Sequence, residues 1–150
     1  AIFAVNVAGP MLCTREALQR MSTKISAGGK GKGGGAGGAV VNVSSGSAVI
    51  GRPLLYAMSK GALNSFQAGA VDELASHGVR VNAVSPGMTD TSLIDDIRDS
   101  FDLAKIPLGR FGTPEETAEC VCFLLGDAAS YVTGANVRVG GGRPPGTFLG

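Results

Sequence analysis

The chain has little of what metal centres, disulfide scaffolds and membrane anchors are made from. It holds one histidine and three cysteines in 150 residues, and Cys13, Cys120 and Cys122 form no Cys-x-x-Cys pair. Ligands of suitable spacing are too few for a structural zinc, and an odd number of thiols excludes a closed disulfide framework. No metal is expected, and the three cysteines read as buried small hydrophobes in a reducing compartment, the cytoplasm. No apolar run approaches the roughly 18 residues that a bilayer-spanning helix needs. No basic segment followed by an apolar stretch opens the chain as a secretory leader would. Neither sign of charge dominates: 13 basic against 12 acidic residues leave a formal net charge of +1. No broad field therefore draws the protein to nucleic acid or to an anionic membrane, and the expected partners are a small molecule and further copies of the same chain.

What is abundant is apolar side chains, 44% of the sequence, and glycine, 24 residues. In a chain of domain length that apolar fraction supports one buried core. The glycines crowd between Gly28 and Gly38 and toward the C-terminus, which excludes a collagen-like repeat. Residues 27–38 read as a flexible loop, because glycine and lysine offer almost nothing to bury. Gly33, Gly35 and Gly38 satisfy Gly-x-Gly-x-x-Gly, but a dinucleotide loop follows a strand and opens a helix. This stretch does the reverse and is rejected as a phosphate loop.

Periodicity supplies the elements. Phe3, Val7, Met11, Leu18 and Met21 predict a helix from Ile2 to Met21, bent at Gly9-Pro10, since Pro10 has no N–H for the carbonyl of Asn6. Ala39 to Val43 reads as a strand buried on both faces. Leu54 to Ser76 reads as a long helix entered at Pro53 and closed by His77-Gly78, with His77 a cap contact rather than a catalyst. A second strand, Val79 to Val84, stops at Pro86-Gly87, and Thr91 or Ser92 caps a short helix through Asp99. Thr113-Pro114-Glu115-Glu116 forms a capping box before a helix that runs to Leu125, and Ala135 to Val139 is the last strand. Met11, Met21, Phe66 and Phe123 read as core or helix-interface residues. Strands alternating with helices at this spacing imply right-handed crossovers, hence an α/β fold with a small parallel sheet whose first strand lies at an edge.

Tyr56 and Lys60 lie one helical turn apart at the start of the long helix and share a face. Ser44 and Ser45 end the strand before that helix, where open α/β sheets present ligand-binding groups beyond the carboxyl ends of their strands. Pro86-Gly87, Thr89 and Thr91 follow the end of the next strand. A serine pair can also do no more than satisfy a strand end, and the two threonines can be turn and cap residues.

Four pieces, in this order, resemble the C-terminal part of the short-chain dehydrogenase/reductase family: Val41-Asn42-Val43-Ser44-Ser45, Tyr56-Ala57-Met58-Ser59-Lys60-Gly61-Ala62, Val79-Arg80-Val81-Asn82-Ala83-Val84-Ser85-Pro86-Gly87 and Ser130-Tyr131-Val132-Thr133-Gly134. The resemblance implies a partial Rossmann-type parallel sheet and NAD- or NADP-dependent interconversion of a carbonyl and an alcohol. It implies Tyr56 as acid/base, Lys60 as its electrostatic partner and a ribose ligand, Ser45 as the hydroxyl that positions the carbonyl, and Asn6 as the fourth member. Asn6 would hold, at its main-chain carbonyl, a water linked to Lys60. Pro86, Gly87, Thr89 and Thr91 match the loop that meets the nicotinamide. The resemblance also implies a homo-oligomer, dimer or tetramer, joined through the first and the long middle helices. The chemistry is physically reasonable: an ammonium about 4 Å from a phenolate is worth about 4 kcal/mol at an effective dielectric near 20.

Two departures from the family pattern stand out. No strand-loop-helix glycine fingerprint is present, so residues 1–150 read as a single incomplete domain without its N-terminal nucleotide-binding half, and Ala1 in place of Met points to a longer protein. The path from Ser45 to Tyr56 is shorter than the family usually has, which leaves Ser47 able to take the serine role. The alternative to an active reductase is a truncated, noncatalytic fragment that keeps only the association surface of its helices.

Overall fold

Residues 1–24 and 35–143 are described by a computed structural model of the chain, so most of the expected glycine-rich loop lies outside the described residues. The first segment is helical from Ile2 to Met21. Within it Ala4–Ala8 forms a π turn, in which Gly9 donates to the carbonyl of Ala4, and α1, Gly9–Met21, follows without a break. The irregularity falls where Pro10 predicts it, because a residue with no N–H cannot sustain the regular ladder and a wider turn takes its place.

The strands are β1 (Gly38–Val43), β2 (Val79–Pro86) and β3 (Asn136–Val139), all parallel, in the order β1-β2-β3. Gly38 pairs with Val79 and Val43 with Val84, while Pro86 pairs with Val139. The strand ends that bear Ser44, Gly87 and Gly140 therefore meet along one border of the sheet. Between the strands lie the short α2 (Ser47–Ile50), the long α3 (Leu54–Ser76) and α4 (Pro114–Leu125).

Alternation along β2 sorts the helices onto two faces. Val79 and Val81 join Ala70 and Leu74 of α3 in a buried cluster, against which Leu18 and Met21 of α1 also pack. Arg80 points the other way, and its guanidinium donates to the carbonyls of Leu124 (2.7 Å), Leu125 (3.3 Å), Gly126 (3.1 Å) and Val132 (3.3 Å), closing the C-terminal end of α4. The fully buried Asn82 ties down the approach to β3: its amide donates to Val132 O at 2.8 Å and its oxygen accepts from Ala135 N at 3.0 Å.

Thr113 and Glu116 make the expected capping box at the start of α4. His77 caps α3, and its Nδ1 lies 2.7 Å from Ser22 Oγ just past the end of α1.

Several expectations are corrected. β1 is not buried on both faces: Asn42 is buried, but Ala39 to Val41 are half-covered and Val43 is 48% exposed, because among the described residues β1 pairs with β2 alone and the helices cover it only in part. The segment after Thr91 is a 3₁₀ turn, Ser92–Ile97, with no side-chain cap bond. Cys13 and Cys122 are exposed and Cys120 half-buried, since among the described residues no other element covers those parts of α1 and α4; all three are free thiols. Burial pushes the Cys120 thiol pKa up. Met11 and Phe123 are likewise exposed, whereas Met21 and Phe66 pack on the core as expected.

Candidate active site

α3 delivers Tyr56 and Lys60 to the C-terminal end of β1. The Lys60 ammonium donates to Val43 O at 2.8 Å and stands 5.7 Å from the centre of the Tyr56 ring, within cation–π range. Desolvation of this half-buried ammonium lowers the Lys60 pKa. One turn further along α3, Asn64 Oδ1 accepts a 2.5 Å bond from the buried Ser44 hydroxyl. Lys60 is thus flanked by two tethers to the strand end, one through its own side chain and one through Asn64.

The serines lie on the loop that leaves β1. Gly46 N donates to Pro86 O at 3.0 Å, which brings this loop beside the end of β2. Ser45 Oγ accepts from Ser47 N at 3.1 Å, so its oxygen is anchored while its proton remains to be donated. Ser47 begins α2, which packs against α3. At the end of β2, Gly87 N donates to Val139 O at 2.9 Å, and a Cβ on Gly87 would stand 2.7 Å from the Cα of Gly140. Only glycine permits that backbone approach.

Asn6 reaches the same region from the π turn. Its Nδ2 donates to Ser59 Oγ at 3.0 Å, and Ser59 in turn donates to Tyr56 O at 2.7 Å. A groove of about 580 Å³ runs along the unpaired edge of β1 between α1 and α3, and both Asn6 and Lys60 line it. Asn42 also lines it, and its buried Nδ2 has no hydrogen-bond partner among the described residues.

Thr89 and Thr91 stand apart from this group. Thr89 Oγ1 donates weakly to Gly87 O at 3.4 Å and its backbone bridges to Gly112, while Thr91 precedes the 3₁₀ turn. No hydrogen bond among the described residues joins either threonine to Tyr56, Lys60 or Ser45. Sequence reasoning passed over Asn64 and Ser59 as parts of the site, and read Ser44 only as one of the serine pair at the strand end. Ser59 alone had a local signal, as a helical serine whose hydroxyl bonds back to a preceding carbonyl. Among the described residues, no group of His, Cys, Asp and Glu is arranged to hold a metal, and no helix is long and apolar enough to cross a membrane.

Comparison with known proteins shows the family. Residues 1–143 match the family described as Enoyl-(Acyl carrier protein) reductase. The chain is 38% identical over 154 residues to the uncharacterized oxidoreductase YgfF of Escherichia coli strain K12, covering 95% of this chain and 57% of that protein. It is also 38% identical to 2-(S)-hydroxypropyl-CoM dehydrogenase 3 of Xanthobacter autotrophicus, covering 94% of this chain and 55% of the relative. Its fold matches a short-chain type dehydrogenase/reductase from Mycobacterium ulcerans with a TM-score of 0.80 at 34% identity, over 94% of this chain and 50% of that one. A 4-hydroxyisoleucine dehydrogenase mutant complexed with NADH and succinate matches with a TM-score of 0.78 at 27% identity, over 94% and 57% of the two chains. The chain thus spans about half the length of the curated relatives it matches. With a parallel α/β sheet, Tyr56 and Lys60 at its carboxyl border and a family match across nearly every residue, the chain belongs to the short-chain dehydrogenase/reductase family.

Proposed function

We propose that the protein is an NAD- or NADP-dependent oxidoreductase that interconverts a carbonyl and an alcohol, with Tyr56, Lys60, Ser45 and Asn6 as its catalytic set. The observation that carries this reading is the convergence of the Tyr56–Lys60 turn of α3 with the Ser44–Ser45 end of β1, through the bond from Lys60 Nζ to Val43 O. The names of relatives as dehydrogenases of hydroxy-substituted compounds support an alcohol/carbonyl couple.

The donor set fits the nicotinamide-ribose end of such a cofactor. Lys60 offers an ammonium to ribose hydroxyls; Pro86 ends β2, and beyond it Gly87 offers a side-chain-free backbone and Thr89 and Thr91 two hydroxyls. When bound, the nicotinamide supplies or accepts hydride at the substrate carbon. In the reducing direction Tyr56 gives its phenolic proton to the substrate oxygen, and Ser45 donates a hydrogen bond to the same oxygen as negative charge develops there. Lys60 stabilises the phenolate left behind. Asn6 completes the set through the main-chain carbonyl to which Pro10 gives no N–H.

The chain reads as one incomplete Rossmann-type domain. The unpaired edge of β1 and the unpartnered Asn42 Nδ2 support a further strand pairing there, supplied by sequence outside this chain. The apolar residues Phe3, Leu12, Leu54 and Met58, exposed on the first helical segment and α3, support a homo-oligomer. Three free thiols support the cytoplasm as the compartment.

The test uses the protein as its own gene encodes it. Tyr56→Phe removes the proton donor and leaves the ring, so turnover of a generic ketone should fall by roughly 10² to 10⁴. Binding of the reduced nicotinamide, followed by its fluorescence, should persist. An unimpaired Tyr56→Phe variant overturns the assignment.

A further inference from the structure

Ser59 lies between Tyr56 and Lys60 in sequence and is 0% exposed. A hydroxyl has one proton, and Ser59 gives it to Tyr56 O at 2.7 Å. Its remaining lone pairs are buried and need a donor from elsewhere in the fold. Asn6 Nδ2 supplies that donor at 3.0 Å from 53 positions away. Because the Ser59 proton is already committed, Ser59 can only accept from Asn6. The carboxamide must therefore turn its NH₂ toward Ser59, which removes the freedom of an Asn side chain to reverse its two ends.

We propose that Ser59 is a positioning residue. Its buried hydroxyl orients Asn6 and holds the π turn of the first helical segment against the turn of α3 that presents Tyr56 and Lys60. The proposal rests on the oxidoreductase reading above. The geometry around it is consistent: the next residue, Lys60, is held at Val43 O, so that turn of α3 is fixed by Asn6 on one side and by the strand end on the other. Removing the Ser59 hydroxyl leaves a part-buried NH₂ without its acceptor and lets the Asn6 carboxamide rotate.

A double-mutant cycle tests this in the protein as its own gene encodes it, with kcat and KM measured for wild type, Asn6→Ala, Ser59→Ala and the double variant. If Ser59 acts through Asn6, Ser59→Ala lowers kcat by roughly tenfold, the scale of one lost buried hydrogen bond, with KM for the carbonyl changed less than about twofold. The double variant then falls no further than Asn6→Ala alone. Ser59→Cys, of nearly the same shape but with a weakly accepting sulfur, gives an intermediate kcat and serves if the alanine variant fails to fold. Exchange of the Asn6 carboxamide protons with solvent, followed by NMR, is faster in either Ser59 variant than in wild type. Wild-type kcat in a folded Ser59 variant, losses that simply multiply in the double variant, or unchanged carboxamide exchange would each overturn the proposal. If wild type turns over and Tyr56→Phe does not, such a result sinks the role of Ser59 alone. A wild type with no nicotinamide-dependent turnover sinks the oxidoreductase reading, and the role of Ser59 with it.

Discussion

The ammonium of Lys60 is bonded at 2.8 Å to the carbonyl of Val43, the last residue of β1. One contact thereby joins the helix that carries Tyr56 to the strand end that carries the serines. It also sets a half-buried charge beside the unpaired edge of the sheet, and that position has consequences for activity and stability together.

Lys60→Met should reduce turnover by roughly 10² to 10⁴, because the phenolate loses its electrostatic partner. The pH dependence of the thermal midpoint should change as well. Burial lowers the Lys60 pKa, so the folded chain holds this proton less tightly than the unfolded chain does. The charge on Lys60 therefore costs the fold stability relative to the neutral amine while it is protonated in both states, and that cost fades as pH rises toward the ordinary lysine pKa. Melting curves from neutral to alkaline pH should show wild type gaining on the methionine variant. Melting curves of the two proteins that run parallel over that pH range would contradict this account.

The two serine candidates separate by their bonding. Ser45 Oγ is anchored by Ser47 N and keeps its own proton to give, whereas Ser47 contributes its backbone to that anchor. Ser45→Ala should lower kcat by roughly 10² to 10³, the usual loss on removing one donor to a developing oxyanion. Ser47→Ala retains the backbone N–H and should stay within a few-fold of wild type. Steady-state kinetics decide between them, and the reverse order would move the role to Ser47.

Glu116 gives a stability test independent of catalysis. Its hydrogen bonds from Arg110 and then from Thr113 N hold its pKa down to about 2. A carboxylate with a depressed folded pKa adds stability above its unfolded pKa, near 4.3, and that stability is lost as pH falls toward 2. Glu116→Gln should therefore lower the melting midpoint at pH 7 and flatten its dependence between about pH 4.5 and 2. Added salt should narrow the difference, because the pair is exposed. A glutamine variant that tracks wild type through acid would refute the contribution.

Arg80 should matter to folding more than any surface charge. Its guanidinium meets four carbonyls at and beyond the end of α4, and Arg80→Met should cost on the order of 3 kcal/mol in denaturant unfolding. Lysine is a point charge without the planar fork, so Arg80→Lys should recover only part of the loss. A midpoint unchanged by Arg80→Met would show that water satisfies those carbonyls equally well.

The elements and the Tyr56–Lys60 pair were legible in the amino-acid sequence because they depend on near neighbours. α3 runs from Leu54 to Ser76 between the proline and the His77-Gly78 pair that bound it, and the capping box at Thr113 and Glu116 closes over three residues. Tyr56 and Lys60 share a face by helical geometry alone. Tertiary structure decided what depends on distant partners. The tethers from Asn6 to Ser59 and from Ser44 to Asn64 connect residues 53 and 20 positions apart, and no local pattern announces them. The exposure of Cys13, Cys122, Met11 and Phe123 was equally hidden, because an apolar residue at helical spacing looks the same whether or not another element covers it. The physical reason is common to these cases. Backbone hydrogen bonding within a turn is written in adjacent residues, whereas burial and side-chain pairing exist only after the sheet has set its register and brought the helices onto its faces.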